Sequence, residues 1–303
     1  MADPNLHVKA MAFTKNAYRD IYPAIKPTRA ELSQAGKVVV ITGASRGLGR
    51  GFAIAFAHAK AGAIALLGRS GEGLAETEKQ VKEISPATTV LSIVVDVLDE
   101  DGINAAFEKI MKQCGIPHVL INNAGYLVLE TIAESTVDSF WKVQEINVKG
   151  MLIVTKAFLK SIESVPEEQR AILNLTSVSS QYAAVTMDSY TISKVAVIKF
   201  TEFLAAEYPS ITSISLDPGM VATDMGVRVE LIAPFLFDTV ELAGGAAVWL
   251  CSGDKKYLSG RYVSVNWDVD ELERRQEEIV EKNLLSSGLR RGDVPVDELV
   301  IHP

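Results

Sequence analysis

The sequence predicts an α/β fold: a doubly wound, parallel, seven-stranded sheet with helices on both faces. Three observations carry this. Short apolar runs alternate with longer stretches of helical periodicity, the pattern of strands buried on both faces by crossover helices. A glycine-rich turn follows the first apolar run and opens the first helix. Of 303 residues, 48% are hydrophobic and 22% charged, which supplies a sizeable core and argues against disorder.

In chain order, residues 37–41 (KVVVI) read as a buried strand, followed by glycines and a helix over 48–60. A second strand, 63–67, leads to a polar helix at 73–84 and a third strand at 90–95. A helix at 101–112 precedes the fourth strand, 118–121, and a long helical region spans 137–162. The remaining strands are expected at 171–175, 211–216 and 261–265, with a helix at 189–207 between the first two of these. Right-handed crossovers then place helices on both faces. Residues 36–268 thus form a central domain between two arms. The N-terminal arm, 1–35, holds Tyr18, Tyr22, Pro23 and Pro27 without clear periodicity. The C-terminal arm, 269–303, reads as an amphipathic helix and tail. There Leu272, Ile279, Leu284 and Leu285 share one face, and Glu271–Arg275 and Glu278–Lys282 form i,i+4 pairs on the other. Such a helix packs on its own domain or on another subunit, and the sequence leaves both open.

A net charge of −8 offers no general attraction to phosphate backbones, so no nucleic-acid partner is expected. Cys114 and Cys251 are too few for a disulfide framework and lie in no metal-like cluster, so no metal is expected. The most apolar long stretch, 52–67, is interrupted by His58 and Lys60 and is too short to span a bilayer. The N-terminus lacks the basic-then-apolar order of a secretory signal, which predicts a cytoplasmic protein without a membrane partner.

After the first strand come Thr42, Gly43, Ala44, Ser45, Arg46, Gly47, Leu48 and Gly49. Glycines at this spacing let the backbone turn tightly and approach a pyrophosphate at the helix N-terminus, the dinucleotide arrangement of Rossmann-type sheets. The acid that would hold a ribose 2′-hydroxyl belongs about 20 residues further on. The chain reads Leu67-Gly68-Arg69-Ser70 there, with no carboxylate. Arg46 and Arg69, each alone a solvated surface charge, together favour a 2′-phosphate and hence NADP(H). Asp96, followed by Val97, is suited to accept from an adenine amino group; it would serve equally as a helix N-cap. Asn122, Asn123, Ala124 and Gly125 close the fourth strand, where small residues let the chain pass beneath a ribose. Read alone, that stretch is only a turn.

Tyr190 and Lys194 stand four residues apart and so on one helix face. A neighbouring ammonium lowers a phenol's pKa and makes it a usable acid or base. In isolation the pair reads as an exposed Tyr and a solvated Lys. Its setting changes that: Ser177, at the end of a strand, lies 13 residues before Tyr190, and Asn147 interrupts a helical run with an amide able to bond a freed backbone group or water. Beyond the sixth strand, Pro218 and Gly219 turn the chain toward Val221 and Thr223, whose hydroxyl could meet a nicotinamide carboxamide.

TGASRGLG, NNAG, a Ser ahead of YTISK, and PGMVAT occur in the order and approximate spacing of the short-chain dehydrogenase/reductases, which the chain resembles over about residues 36–267. The similarity is to the single-domain, roughly 250-residue branch and, more loosely, to filamentous-fungal members that tailor secondary metabolites. The resemblance implies that Tyr190 is the general acid in carbonyl reduction and the base in alcohol oxidation. Lys194 would hold the nicotinamide ribose and depress the phenol pKa. Ser177 would bond the substrate oxygen, and Asn147 would position a water for proton relay. Gly43, Ser45, Arg46, Gly47, Leu48 and Gly49 would surround the phosphates, with Arg69 near the 2′-phosphate. Asp96 and Val97 would flank the adenine, and Asn123, Ala124 and Gly125 the adenosine ribose. Pro218, Gly219, Val221 and Thr223 would meet the nicotinamide end. A homo-oligomer, dimer or tetramer, is implied. The chain departs from the family in running from its last strand into Ser264-Val265-Asn266-Trp267-Asp268 where a glycine pair is usual, and Trp267 with the 36-residue tail after it weighs against the common tetramer.

The loop after Pro218-Gly219 is strongly apolar, with Met225, Val227, Leu231, Ile232, Pro234, Phe235, Leu236 and Phe237. With Tyr126, Gln181 and Tyr182, it suits a bulky hydrophobic or polyketide-like ketone; the bland reading is packing. The expected function is an NADPH-dependent ketoreductase, or the reverse alcohol oxidation. The alternatives are a cofactor-sensing protein without turnover, and a subunit that assembles through its arms.

Overall fold

A computed structural model of the chain describes residues 5–165 and 168–288. Seven strands form one parallel sheet: β1 Val38–Thr42, β2 Ala63–Gly68, β3 Thr89–Val94, β4 Val119–Asn122, β5 Arg170–Leu175, β6 Ile211–Asp217 and β7 Arg261–Ser264. Their order is β3-β2-β1-β4-β5-β6-β7. The chain therefore reverses direction across the sheet between β1 and β4. At such a switch point the flanking crossovers diverge and leave a crevice beyond the strands' C-terminal ends.

The helices are α1 Leu6–Ala10, α2 Gly47–His58, α3 Gly71–Ile84, α4 Glu100–Gln113, α5 Val137–Gln144, α6 Gly150–Ile162, α7 Asp188–Glu207, α8 Val240–Leu250, α9 Val269–Arg274 and α10 Gln276–Glu281. Strand residues alternate between two apolar cores because successive side chains point to opposite faces. Val39, Ile41, Ile64 and Leu66 pack with Phe52 and Phe56 of α2 and Leu242 and Trp249 of α8. Val38, Val40, Ala65 and Leu67 pack with Phe107 of α4, Phe158 of α6 and Leu204 of α7.

All seven strands lie within a residue or two of their expected positions, as do the helices at α2, α3, α4 and α7. Besides the short helix α1 in an arm read without periodicity, three elements differ. The helical region at 137–162 is α5 and α6 joined through a π-helical turn, Glu145–Lys149, with Asn147 at its centre. Helix α8 has no counterpart in the sequence reading. The C-terminal helix is broken at Arg275 into α9 and α10, yet Leu272 and Ile279 are both fully buried in the chain's own core. The Glu271–Arg275 and Glu278–Lys282 pairs form as expected. Residues 1–4 of the N-terminal arm and 289–303 of the C-terminal tail lie outside the described residues.

The N-terminal arm packs along β7 and the C-terminal arm. Ala17 pairs with Trp267 in an antiparallel bridge. The Tyr22 hydroxyl donates to Trp267 O at 3.1 Å and accepts from Val269 N at 2.9 Å. Ile25, wholly buried, lies against Gly245 of α8.

Candidate active site

The switch-point crevice opens into a cleft of about 390 Å³ at the C-terminal ends of the strands. At one end the glycine turn lines it through Gly43, Ser45, Arg46, Gly47 and Leu48. Gly43 has φ +65°, a left-handed conformation that side chains rarely adopt. Gly49 stays behind the turn: a Cβ there would lie 2.2 Å from Gly43 O, so only glycine lets α2 seat so close to β1. Asn123 Nδ2 donates to Thr42 O at 2.8 Å and Gly43 O at 3.2 Å. Thr42 Oγ1 accepts from both Asn123 N and Ala124 N at 3.0 Å. These bonds fix the end of β4, with Ala124 and Gly125 also on the cleft wall, against the turn after β1.

Arg69, Asp96 and Val97 line the neighbouring wall. Arg46 is ion-paired with Asp224, and Arg69 Nη1 stands 3.7 Å from Asp96 Oδ2. The capping alternative for Asp96 does not hold, since Asp99 caps α4 by accepting from Gly102 N at 3.0 Å. Asp96 Oδ1 instead accepts from Leu98 N at 3.0 Å.

At the other end of the cleft, α7 presents Tyr190 and Lys194. Lys194 Nζ donates to Leu175 O at 2.7 Å and lies 5.4 Å from the Tyr190 ring centroid. Ser177, just beyond β5, neighbours the Tyr190 phenol from outside the cleft lining, and its Oγ accepts from Ser179 N at 3.2 Å. Burial pushes that phenol up to about 12, the Ser177 hydroxyl opposing and the Asp217 charge adding to the rise. Burial pushes Lys194 down to about 8. The sequence reading has the ammonium lower the phenol; in this geometry burial raises it instead, and what opposes the rise is Ser177 rather than Lys194, so the phenol stays protonated at neutral pH.

Asn147 does not line the cleft but sits beneath it. Its Oδ1 accepts from Tyr126 N at 2.7 Å, and its Nδ2 donates to Tyr126 O at 3.0 Å and Ser193 Oγ at 2.9 Å. A Cβ on Gly125 would lie 3.6 Å from Asn147 Oδ1 and 3.8 Å from Lys194 Nζ, so the three converge. Pro218 and Thr223 reach the cleft. Gly219, at φ +78°, and buried Val221 form the turn behind them, where Val221 pairs with Asp238.

Residues 37–232 match the family model described as short chain dehydrogenase. The chain belongs to the short-chain dehydrogenase family. It is 34% identical over 297 residues to the short chain dehydrogenase tazN of Aspergillus terreus, covering 94% of this chain but only 64% of that protein. It is 34% identical over 275 residues to the short chain dehydrogenase citE of Monascus ruber, covering 88% of this chain and 93% of that one. Among solved structures, the L-sorbose reductase of Gluconobacter frateurii, complexed with NADPH and L-sorbose, matches with TM-score 0.71 and 25% identity. The match covers 78% of this chain and 97% of that one.

Several residues that shape this dehydrogenase cleft escaped the sequence reading. Arg50 braces the glycine turn from behind, donating to Ser45 O at 2.7 Å and Thr77 Oγ1 at 3.0 Å. Asp217 is buried at the end of β6 and accepts from Val178 N at 3.1 Å, Gly219 N at 3.4 Å and the Tyr262 hydroxyl at 2.8 Å. It thus joins the Ser177 turn to the Pro-Gly turn, and burial pushes its carboxyl up. Thr42 had a local signal, a hydroxyl closing a strand before a glycine turn. Asp217 and Arg50 had none, because Val178, Tyr262 and Thr77, the partners that tie them to other elements, are distant in sequence. Among the described residues, no helix is long and apolar enough to cross a membrane.

Proposed function

We propose that the protein is an NADPH-dependent reductase of bulky hydrophobic ketones, with residues 36–268 as its catalytic domain. The carrying observation is a cleft with Tyr190 and Lys194 at one end, Ser177 beside the phenol, and a dinucleotide-type glycine turn at the other end. The chain fits the cofactor: Gly43 and Gly49, where a Cβ would strike Asn123 and the Gly43 carbonyl, let the turn fold back tightly, and α2 aims its N-terminus into the cleft. Arg46 and Arg69 supply cations for a 2′-phosphate, which would compete with Asp224 and Asp96 for them. When bound, the nicotinamide supplies the hydride for reduction or accepts it in the reverse reaction.

The protein's own part is proton transfer and orientation. Ser177 donates to the substrate carbonyl oxygen and holds it beside the phenol. Tyr190, kept protonated by its burial, gives its proton to that oxygen as negative charge develops there. Lys194 holds the ribose and stabilises the phenolate left behind. Asn147, tied to Tyr126 and Ser193, seats the water through which the proton is replaced. At neutral pH a phenol pushed up to about 12 carries the proton that reduction consumes.

Met225 on the cleft wall, with exposed Val227 and Phe237 on the following loop, supports a hydrophobic substrate. The fungal relatives support a role in tailoring secondary metabolites, which we place in the cytoplasm. For assembly we favour a homodimer: Ile132, Val137, Trp141 and Ile192 are exposed around one depression beside α5 and α7. Nothing observed favours a sensor without turnover.

NADPH consumption across aliphatic, aromatic and polycyclic ketones tests the activity. Turnover of the bulky ketones, lost by more than about a hundredfold in Tyr190→Phe, is expected; equal turnover by the variant would overturn the assignment. Replacing Arg46 and Arg69 together by Ala is expected to erode the NADPH-over-NADH preference in kcat/KM by roughly ten- to a hundredfold. An unchanged ratio would remove them from cofactor selection.

A further inference from the structure

The loop that brings Thr223 and Met225 to the cleft leaves the sheet region at Met220 and returns at Asp238. Its ends are joined there: Asp238 N donates to Met220 O at 3.0 Å, and Val221 and Asp238 form a parallel bridge. The Asp238 side chain is wholly buried. Its Oδ2 accepts from Met220 N at 2.5 Å, and its Oδ1 accepts from Arg19 Nε at 2.6 Å.

Arg19 lies in the N-terminal arm, 219 residues from Asp238 and outside the span that matches the family model. Its Nη2 donates to Phe235 O at 2.7 Å, and its guanidinium carbon stands 5.4 Å from the Phe237 ring centroid. The backbone repeats the connection, since Thr239 N donates to Arg19 O at 3.0 Å and Thr239 Oγ1 to Asp20 Oδ1 at 2.7 Å. One guanidinium therefore engages both the base of the loop, through Asp238 and Met220, and its returning limb at Phe235 and Phe237.

We infer that Arg19 is a positioning residue for the substrate pocket: from the N-terminal arm it seats the 220–238 loop and sets the shape of the site that receives the ketone. This rests on the reading of that loop as the substrate loop. The planar fork of an arginine serves a carboxylate and a carbonyl at once, whereas a lysine ammonium cannot span both in the same geometry. Without Arg19, the buried Asp238 carboxylate loses its cation and turns toward water, releasing Met220 N and the loop with it.

The test compares wild type with Arg19→Lys, Arg19→Leu and the double variant Arg19→Leu/Asp238→Asn. The double variant carries no unpaired buried charge, so it guards against simple unfolding. With α-tetralone and saturating NADPH, KM is expected to rise about tenfold in Arg19→Leu and in the double variant, with kcat changed less than about threefold. Trypsin cleavage after Arg228, within the loop, is expected to run about tenfold faster in both, at unchanged rates elsewhere, as local opening requires. Arg19→Lys should fall between them and wild type. Wild-type KM and wild-type cleavage in the double variant overturn the inference, as does a uniform rise in cleavage along the whole chain. If wild type does not turn over α-tetralone, the catalytic reading fails for this ketone class, and the rate of cleavage after Arg228 still decides whether Arg19 seats the loop.

Discussion

Tyr190 and Lys194 share a helix face, yet burial drives their proton affinities in opposite directions, because it penalises whichever form is charged. The phenol rises to about 12 and the ammonium falls to about 8. Reduction needs both protonated, so the group that titrates first as pH rises is Lys194. kcat/KM for ketone reduction is expected to be flat below about pH 7.5 and to fall by about tenfold per unit above pH 8. In Lys194→Arg the cation survives to far higher pH, so any activity it retains should lose that limb. A wild-type profile still flat at pH 9.5 would sever Lys194 from proton transfer. The residues of this site were legible because their spacing is local: four residues set a helix face and a glycine turn announces a phosphate. What holds them is not local. Asp217 meets Tyr262 from β7, and Asn147 meets Ser193 from another helix, so no window of sequence contains either pair.

At the scale of elements, parallel strands were legible because a strand buried on both faces is a short unbroken apolar run, as β1, β2 and β4 are, while the others carry enough apolar residues between helical segments to stand out. Helix α8 was not, for a related reason. VELAGGAAVWL is apolar on nearly every side, leaving no period to detect, and its Gly-Gly pair resembles a turn. At these glycines α8 meets its neighbours closely. A Cβ on Gly244 would lie 2.7 Å from Ala55 Cβ of α2, and one on Gly245 would lie 2.6 Å from Ile25 O. The second obstacle is backbone, which cannot rotate away. Gly245→Val should therefore destabilise the fold by about 1–3 kcal/mol, seen as a lower urea midpoint. An unchanged midpoint would mean that the arm yields freely at Ile25. The C-terminal helix shows the converse: its apolar face was legible, but the break at Arg275 depends on tertiary bonds. That guanidinium lies 3.8 Å from the Phe13 ring centroid and donates to Phe13 O at 2.6 Å.

Across the whole molecule, the two arms close the β7 side of the sheet. β7 is an edge strand, and an unpaired edge invites pairing with another chain. Here Tyr262 N donates to Leu285 O at 2.9 Å, Ala17 pairs with Trp267, and Asn266 exchanges bonds of 2.8 Å with the Tyr18 backbone. Trp267, expected to oppose tetramer contacts, is buried beneath the chain's own N-terminal arm, with Nε1 donating to Met11 O at 2.9 Å. Arms used this way support the fold, and a further use in assembly separates from that one experimentally. Deleting residues 1–30 strips Tyr22 and Ile25 from the core and uncovers Trp267. The melting temperature is then expected to fall by on the order of 10 °C, with aggregation on heating. Light scattering on the soluble fraction below that temperature should still report the wild-type subunit number, because the apolar depression around Trp141 is untouched. The opposite pair of results, an unchanged melting temperature with a smaller assembly, would make the arms intersubunit elements and move the dimer contact to the β7 side.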